Sequence, residues 1–112
     1  SCDIAWTCEA LGNIIKNCME HTPEKGKLTI VASENPMFSE IIIEDTGNGI
    51  NPEDLPHIFE RFYKGKESGD KSFGVGLALA RMIISKQNGT IKAENVHNSG
   101  AKFTVRFYKG AV

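Results

Sequence analysis

A chain of 112 residues with 40% hydrophobic and 24% charged content has the size and make-up of one ordinary globular domain, not of a disordered segment. Its formal net charge of −1 supplies no global basic field, so nucleic acid is not an expected partner. The longest strongly apolar runs, Ile41–Ile43 and Leu77–Ala80, are far too short to span a bilayer, and no signal peptide is visible. The chain opens at Ser1 without a methionine, so an excised piece of a longer protein is expected. Cys2, Cys8 and Cys18 form no C-x-x-C pair and are odd in number, which speaks against a disulfide framework or a zinc site and for reduced thiols in the cytoplasm.

In chain order, Asp3 to Glu20 carries a helical pattern. Trp6, Ala10, Ile14 and Cys18 form one stripe with Leu11 and Ile15 beside it, Asp3 is placed to cap the start, and Pro23 and Gly26 end the segment. Glu9, Asn13 and Asn17 follow at i, i+4 and i+8 and share a neighbouring face. Lys27 to Ala32 and Glu40 to Glu44 read as strands joined through Asn35-Pro36. Asp45 to Pro52 reads as loop and Glu53 to Phe59 as a short helix. Tyr63 to Phe73 is poor in apolar residues and rich in Gly and Lys, the composition of a mobile loop. Val75 to Lys86 is helical and ends at Asn88-Gly89. Thr90 to Asn95 and Ala101 to Tyr108 are strands joined through Asn98-Ser-Gly100. This order favours helices packed on one face of a mixed sheet.

Three of these segments carry chemistry. Two carboxamides one turn apart, Asn13 and Asn17, need partners wherever they are buried. Their hard oxygens suit Mg²⁺, which keeps several waters and bridges phosphates; a solvated helix face is the plainer alternative. Asp45-Thr-Gly47-Asn-Gly49 follows an apolar strand. Its glycines permit close approach of a flat ligand, and its aspartate can accept a hydrogen bond from an exocyclic amine. The Asn48-Gly49 pair equally suits a β-hairpin. EF-hand spacing is absent. Gly74-Val-Gly76-Leu77 opens a helix, whose free N–H groups and dipole favour phosphate. It is neither a Walker A loop nor a dinucleotide fingerprint, lacking Gly-Lys-Ser/Thr and the third glycine.

Together, Glu9-Ala-Leu-Gly-Asn13-Ile-Ile-Lys-Asn17, Asp45-Thr-Gly47-Asn-Gly49, Phe59-Glu-Arg-Phe62 and Gly74-Val-Gly76-Leu77 resemble the N, G1, F and G2 boxes of the catalytic, ATP-binding domain of sensor histidine kinases. That family sits in a wider group with gyrase, Hsp90 and MutL, and the resemblance covers nearly the whole chain. It implies an α/β two-layer sandwich, the Bergerat ATP-binding fold, over residues 1–112, with the family's first strand truncated. It implies ATP and Mg²⁺ as ligands. The metal falls to Asn17, with Asn13 close to the same ion and the phosphates. Asp45 would read the adenine amino group, with Gly47, Gly49 and Ile50 in the loop around it and His21 at a position often aromatic near the base. Phe62 would pack the base of a nucleotide lid, and Arg61 and Lys64 would reach the terminal phosphate. Gly74, Val75, Gly76 and Leu77 would carry the phosphate-facing helix start. The implied catalytic set is Asn13, Asn17 and Arg61.

One contrast with the wider group and two departures from the family bear on the reading. Asn13 stands where ATP-hydrolysing relatives carry the glutamate that activates water, and a carboxamide is no general base. This favours transfer to another acceptor over hydrolysis. Glu20 replaces a frequent lysine and puts a phosphate contact there in doubt, and Ala78 replaces a frequent glycine. None of His21, His57 and His97 fits the family's phospho-acceptor motif, so the acceptor belongs to a separate dimerisation domain. The resemblance further implies a response regulator downstream, a membrane-anchored parent with this domain on the cytoplasmic face, and a monomeric isolated domain. An ATPase of the gyrase or Hsp90 kind, or a non-catalytic nucleotide-binding module, are the alternatives.

Overall fold

The computed structural model describes residues 4–20, 26–47, 49–60, 63–64, 72–74, 76–96 and 100–109. The elements are α1 (Ile4–Glu20), β1 (Leu28–Glu34), β2 (Phe38–Asp45), a single 3₁₀ turn (Leu55–His57), β3 (Tyr63–Lys64), β4 (Ser72–Gly74), α2 (Gly76–Ser85), β5 (Gly89–Asn95) and β6 (Ala101–Tyr108). The short helix expected over Glu53–Phe59 is only that 3₁₀ turn. Pro56 removes an N–H inside that short stretch, so an α-helical ladder has too few bonds to propagate. The capping position expected at Asp3 lies outside the described residues.

The main sheet has strand order β1-β2-β6-β5. Every neighbouring pair in it is antiparallel, where the sequence suggested a mixed sheet. The reason is topological. The connection from β2 through α2 to β5 does return the chain in the same direction, but it skips one place in the sheet. β6 then fills the gap, antiparallel to both. β3 and β4 form a separate two-stranded ribbon.

The core lies between this sheet and the two helices, as a two-layer sandwich. β6 alternates strictly, with Ala101, Phe103, Val105 and Phe107 buried, the period-2 pattern of a strand with one covered face. Ile43 and Ala93 stand opposite Phe103 in register, and Ile41 and Ile91 opposite Val105. Above these rows sit Ala10, Ile14 and Cys18 of α1 and Leu77, Ala80, Ile83 and Ile84 of α2. The α1 stripe read from sequence therefore faces the sheet, except for Trp6. That residue is 54% exposed and borders a small groove with Met82 and Lys86 at the far end of α2. Phe59 closes one side of the core, edge-on to Phe103 with ring centroids 6.4 Å apart. At the exit of α2, Asn88 takes a left-handed conformation (φ 61°). Gly89 follows, where an added Cβ would lie 2.7 Å from the Ile84 side chain and 2.8 Å from the Arg106 carbonyl. Only glycine lets β5 begin so close beneath the helix.

Gly12 is the one glycine inside α1. It is exposed, and a Cβ built there meets nothing within 4 Å. Glycine costs a helix interior roughly 1 kcal/mol against alanine. Gly12→Ala is accordingly expected to stabilise the domain by about 0.5–1 kcal/mol, read as a raised denaturation midpoint with unchanged slope in urea.

Candidate nucleotide-binding site

The end of β2 delivers Asp45 into the layer between sheet and helices, where it is 5% exposed. Its Oδ1 accepts hydrogen bonds from the Gly47 N–H at 2.9 Å and the Ala101 N–H at 3.1 Å. The Cys18 thiol, in α1, hydrogen-bonds the same carboxylate. Burial, then the charge of Asp45, then that hydrogen bond push the Cys18 thiol up to about 12. It is thereby held protonated and acts as a donor. A buried carboxylate without donors is costly; here the loop after β2, β6 and α1 each supply one. Sequence periodicity places Cys18 inside, but no sequence signal marks it as the partner of Asp45.

Asn17 precedes Cys18 on α1 and is 7% exposed, so the solvated-face alternative does not hold for it. Among the described residues no hydrogen-bond partner is present for its carboxamide, and none of the buried side-chain polar atoms there is left unsatisfied. The carboxamide therefore keeps a narrow opening to solvent. An oxygen donor in this setting fits a hard divalent cation that retains waters. Asn13, one turn earlier and half-buried, lies against the first residue of α2: a Cβ on Gly76 would stand 3.9 Å from its Cβ and Cγ. That is ordinary van der Waals distance, so protein packing does not demand glycine at 76. The N-box face of α1 and the start of α2 are thus brought together, as the motif order suggested.

The loop after β2 is not a hairpin, which removes that alternative for Asn48-Gly49. It runs from Asp45 past Gly49 (φ 79°) to Ile50, 7% exposed. Ile50 is held by the Asn95 side chain, with its N–H donating to Asn95 Oδ1 and its carbonyl accepting from Asn95 Nδ2, both at 2.7 Å. Gly100 (φ 93°) packs so tightly on the Asp45 backbone that an added Cβ would overlap the Asp45 carbonyl oxygen. Asn95, Gly100 and Ala101 escape sequence reading because strand order, not local pattern, brings them here.

The segment expected as a loop from Tyr63 to Phe73 is drawn together at its ends. Tyr63 pairs with Gly74, and Lys64 with Ser72. Lys64 and Gly74 therefore lie in β3 and β4, but the Lys64 side chain, like that of Glu20, is outside the described residues. His21, Arg61, Phe62, Val75 and residues 65–71 also lie outside them. Leu77 is 1% exposed, so its side chain belongs to the core and only its backbone stands free for a ligand. Among the described residues there is no His/Cys/Asp/Glu cluster able to hold a metal, and no helix is long and apolar enough to cross a membrane.

A buried carboxylate at a strand end, two carboxamides one turn apart on α1 and a glycine-led start to α2, on an α/β sandwich, are features that suit a nucleotide-binding domain. The family described as histidine kinase-, DNA gyrase B- and HSP90-like ATPase matches residues 2–110, and the chain belongs to it. The heme sensor protein HssS of Staphylococcus saprophyticus is 36% identical over 101 residues, spanning 90% of this chain and 22% of its own length. The sensor protein CreC of Escherichia coli is 35% identical over 102 residues, spanning 90% of this chain and 22% of its own length. The chain thus spans about a fifth of the curated relatives it matches. Among solved structures, the nucleotide-free catalytic domain of the histidine kinase ThkA superposes with a TM-score of 0.82. It is 28% identical, and the match covers 96% of this chain and 70% of that one. The fold and the sensor-kinase ATP-binding class expected from the sequence are both met.

Two outcomes follow from this geometry. Iodoacetamide at about pH 8 should label exposed Cys8 and leave Cys18 unmodified until the domain unfolds, because little thiolate forms at a group so raised; peptide mass mapping reads this. Gly100→Ala should destabilise the domain by at least about 2 kcal/mol, from backbone strain and overlap together, measured by chemical denaturation.

Proposed function

We propose that the chain binds Mg–ATP and passes the γ-phosphoryl group to a histidine on a separate dimerisation domain of the same sensor kinase, in a two-component pathway with a response regulator downstream. The observation that carries this reading is the buried Asp45 carboxylate, fixed by two backbone N–H groups and a thiol next to Asn17. An acceptor of this kind, rigid and shielded from water, suits an exocyclic amine such as that of adenine. Asn17 is the residue to hold Mg²⁺ through its carboxamide oxygen, with Asn13 beside the same phosphates. When bound, the metal neutralises charge on the phosphates. Gly76 and Leu77 present backbone N–H groups at the start of α2 to the phosphate chain. Arg61 and Lys64 are assigned to the terminal phosphate, His21 and Phe62 to the base and the lid.

Transfer of this kind requires positioning and charge neutralisation more than covalent help from the protein. Asn13 cannot remove a proton from water, which supports a histidine acceptor over hydrolysis and weighs against the gyrase-like ATPase reading. The membrane-anchored parent, with this domain on its cytoplasmic side, belongs to the same proposal.

Calorimetric titration with ADP and with a non-hydrolysable Mg–ATP analogue tests the reading. The native chain should bind, and Asp45→Asn should weaken binding roughly tenfold to hundredfold, the loss expected for a hydrogen bond to a charged acceptor. Equal binding by both would remove Asp45 as the base reader. In the full-length kinase, Asn17→Ala should abolish autophosphorylation while the circular dichroism spectrum is kept; normal phosphorylation would refute the metal assignment.

A further inference from the structure

Ile50 lies in no strand, yet it is hydrogen-bonded as a strand residue would be. The Asn95 carboxamide supplies both bonds, accepting from the Ile50 N–H and donating to the Ile50 carbonyl, each at 2.7 Å. The two residues are 45 positions apart in sequence. Asn95 is the last residue of β5 and is itself exposed, so burial contributes little to the contact and the paired hydrogen bonds define it. The fit is close on the other side as well. A Cβ on Gly49 would lie 2.8 Å from Asn95 Oδ1 and 3.2 Å from the Gly100 carbonyl. The Val96 N–H donates to that same Gly100 carbonyl at 3.1 Å, closing the β5–β6 end. Ala101, the next residue, donates to Asp45 Oδ1. One end of the β5–β6 pair therefore grips both Asp45 and the Gly49–Ile50 segment that follows it.

We infer that Asn95 is a positioning residue for the base end of the nucleotide site. It fixes Gly49–Ile50 at a set distance from the Asp45 carboxylate, so that a flat purine meets a wall already in place. The inference rests on the nucleotide-binding reading above. The chemistry suits a carboxamide: alanine makes neither bond, serine offers one oxygen on a shorter stem in place of two separate polar atoms, and an ionised aspartate has no donor for the Ile50 carbonyl. A loop fixed before binding needs no ordering when the ligand arrives, which favours affinity without new ligand contacts. Asn95 acts on the base and has no part in the phosphate end, so its removal should cost a nucleoside as much as a nucleotide.

The test compares the native chain with Asn95→Ala, isotopically labelled, by amide hydrogen exchange and by NMR titration with ADP and with adenosine. The variant should exchange its Ile50 amide at least about tenfold faster while the Ala101 amide stays protected, a signature that general destabilisation would not give. Its dissociation constants for ADP and adenosine should rise by the same factor, about five- to thirtyfold. Unchanged ADP affinity beside a released Ile50 amide would overturn the inference. So would a penalty seen with ADP and not with adenosine, which would move the effect to the phosphates. If Asn95→Ala does not fold, Asn95→Ser carries the same comparison. Failure of the native chain to bind ADP would instead overturn the nucleotide reading, and this inference with it.

Discussion

The fold and the site meet in one buried charge. Asp45 sits at the end of a central strand in surroundings that would expel an unpaired carboxylate. It stays because the Gly47 N–H, the Ala101 N–H and the Cys18 thiol all donate to it. These donors come from the loop after β2, the start of β6 and the last turn of α1. Fixing one carboxylate therefore fixes the relative placement of both layers at this end of the sandwich. It also explains the tight backbone at Gly100, where any side chain would collide with Asp45. The site is stiff because the scaffold needs this corner satisfied, with or without a ligand.

The opposite face of the sheet has a different character. Glu40 pairs with Arg106 at 2.7 Å, and the Arg106 guanidinium lies 4.4 Å above the Phe38 ring, which in turn meets Tyr108 edge-on. Glu94 stands opposite Lys102 in register. Such cross-strand pairs each contribute modestly, and they keep β2, β6 and β5 in a single register. A one-residue slip would turn Phe103 and Val105 to solvent. Order at the nucleotide face thus depends partly on polar pairing behind it.

Much of this was legible in the sequence, for identifiable reasons. The helical stripe of Ala10, Ile14 and Cys18 and the alternation through Phe103, Val105 and Phe107 are periodic signals, and they mark the faces that pack. Asp45 and Asn17 stand out because polar residues beside apolar periodic runs need an explanation. What stayed hidden depends on which strands become neighbours. Asn95 looks like an ordinary strand end, and Ala101 offers only a backbone N–H; each matters because β6 lies beside β2. Trp6 falls on the right stripe but beyond the reach of the sheet, so helical phase alone misplaces it. The mixed sheet was expected because a crossover helix ordinarily returns the chain to an adjacent parallel strand, and here it returns one place further out.

That displaced return has a consequence for how the domain is made. β6 is the last described strand in the chain, yet it occupies the centre of the sheet, between β2 and β5. Until it is in place, β1–β2 and β5 are separate edges with exposed apolar faces, and Asp45 lacks its Ala101 donor. A chain emerging from the ribosome must hold α1, α2 and the other three strands of the main sheet in waiting until β6 clears the exit tunnel. Closure is then a late, nonlocal step that depends on distant contacts. Incomplete chains would present unpaired strand edges, and these are where aggregation or chaperone capture is expected to begin.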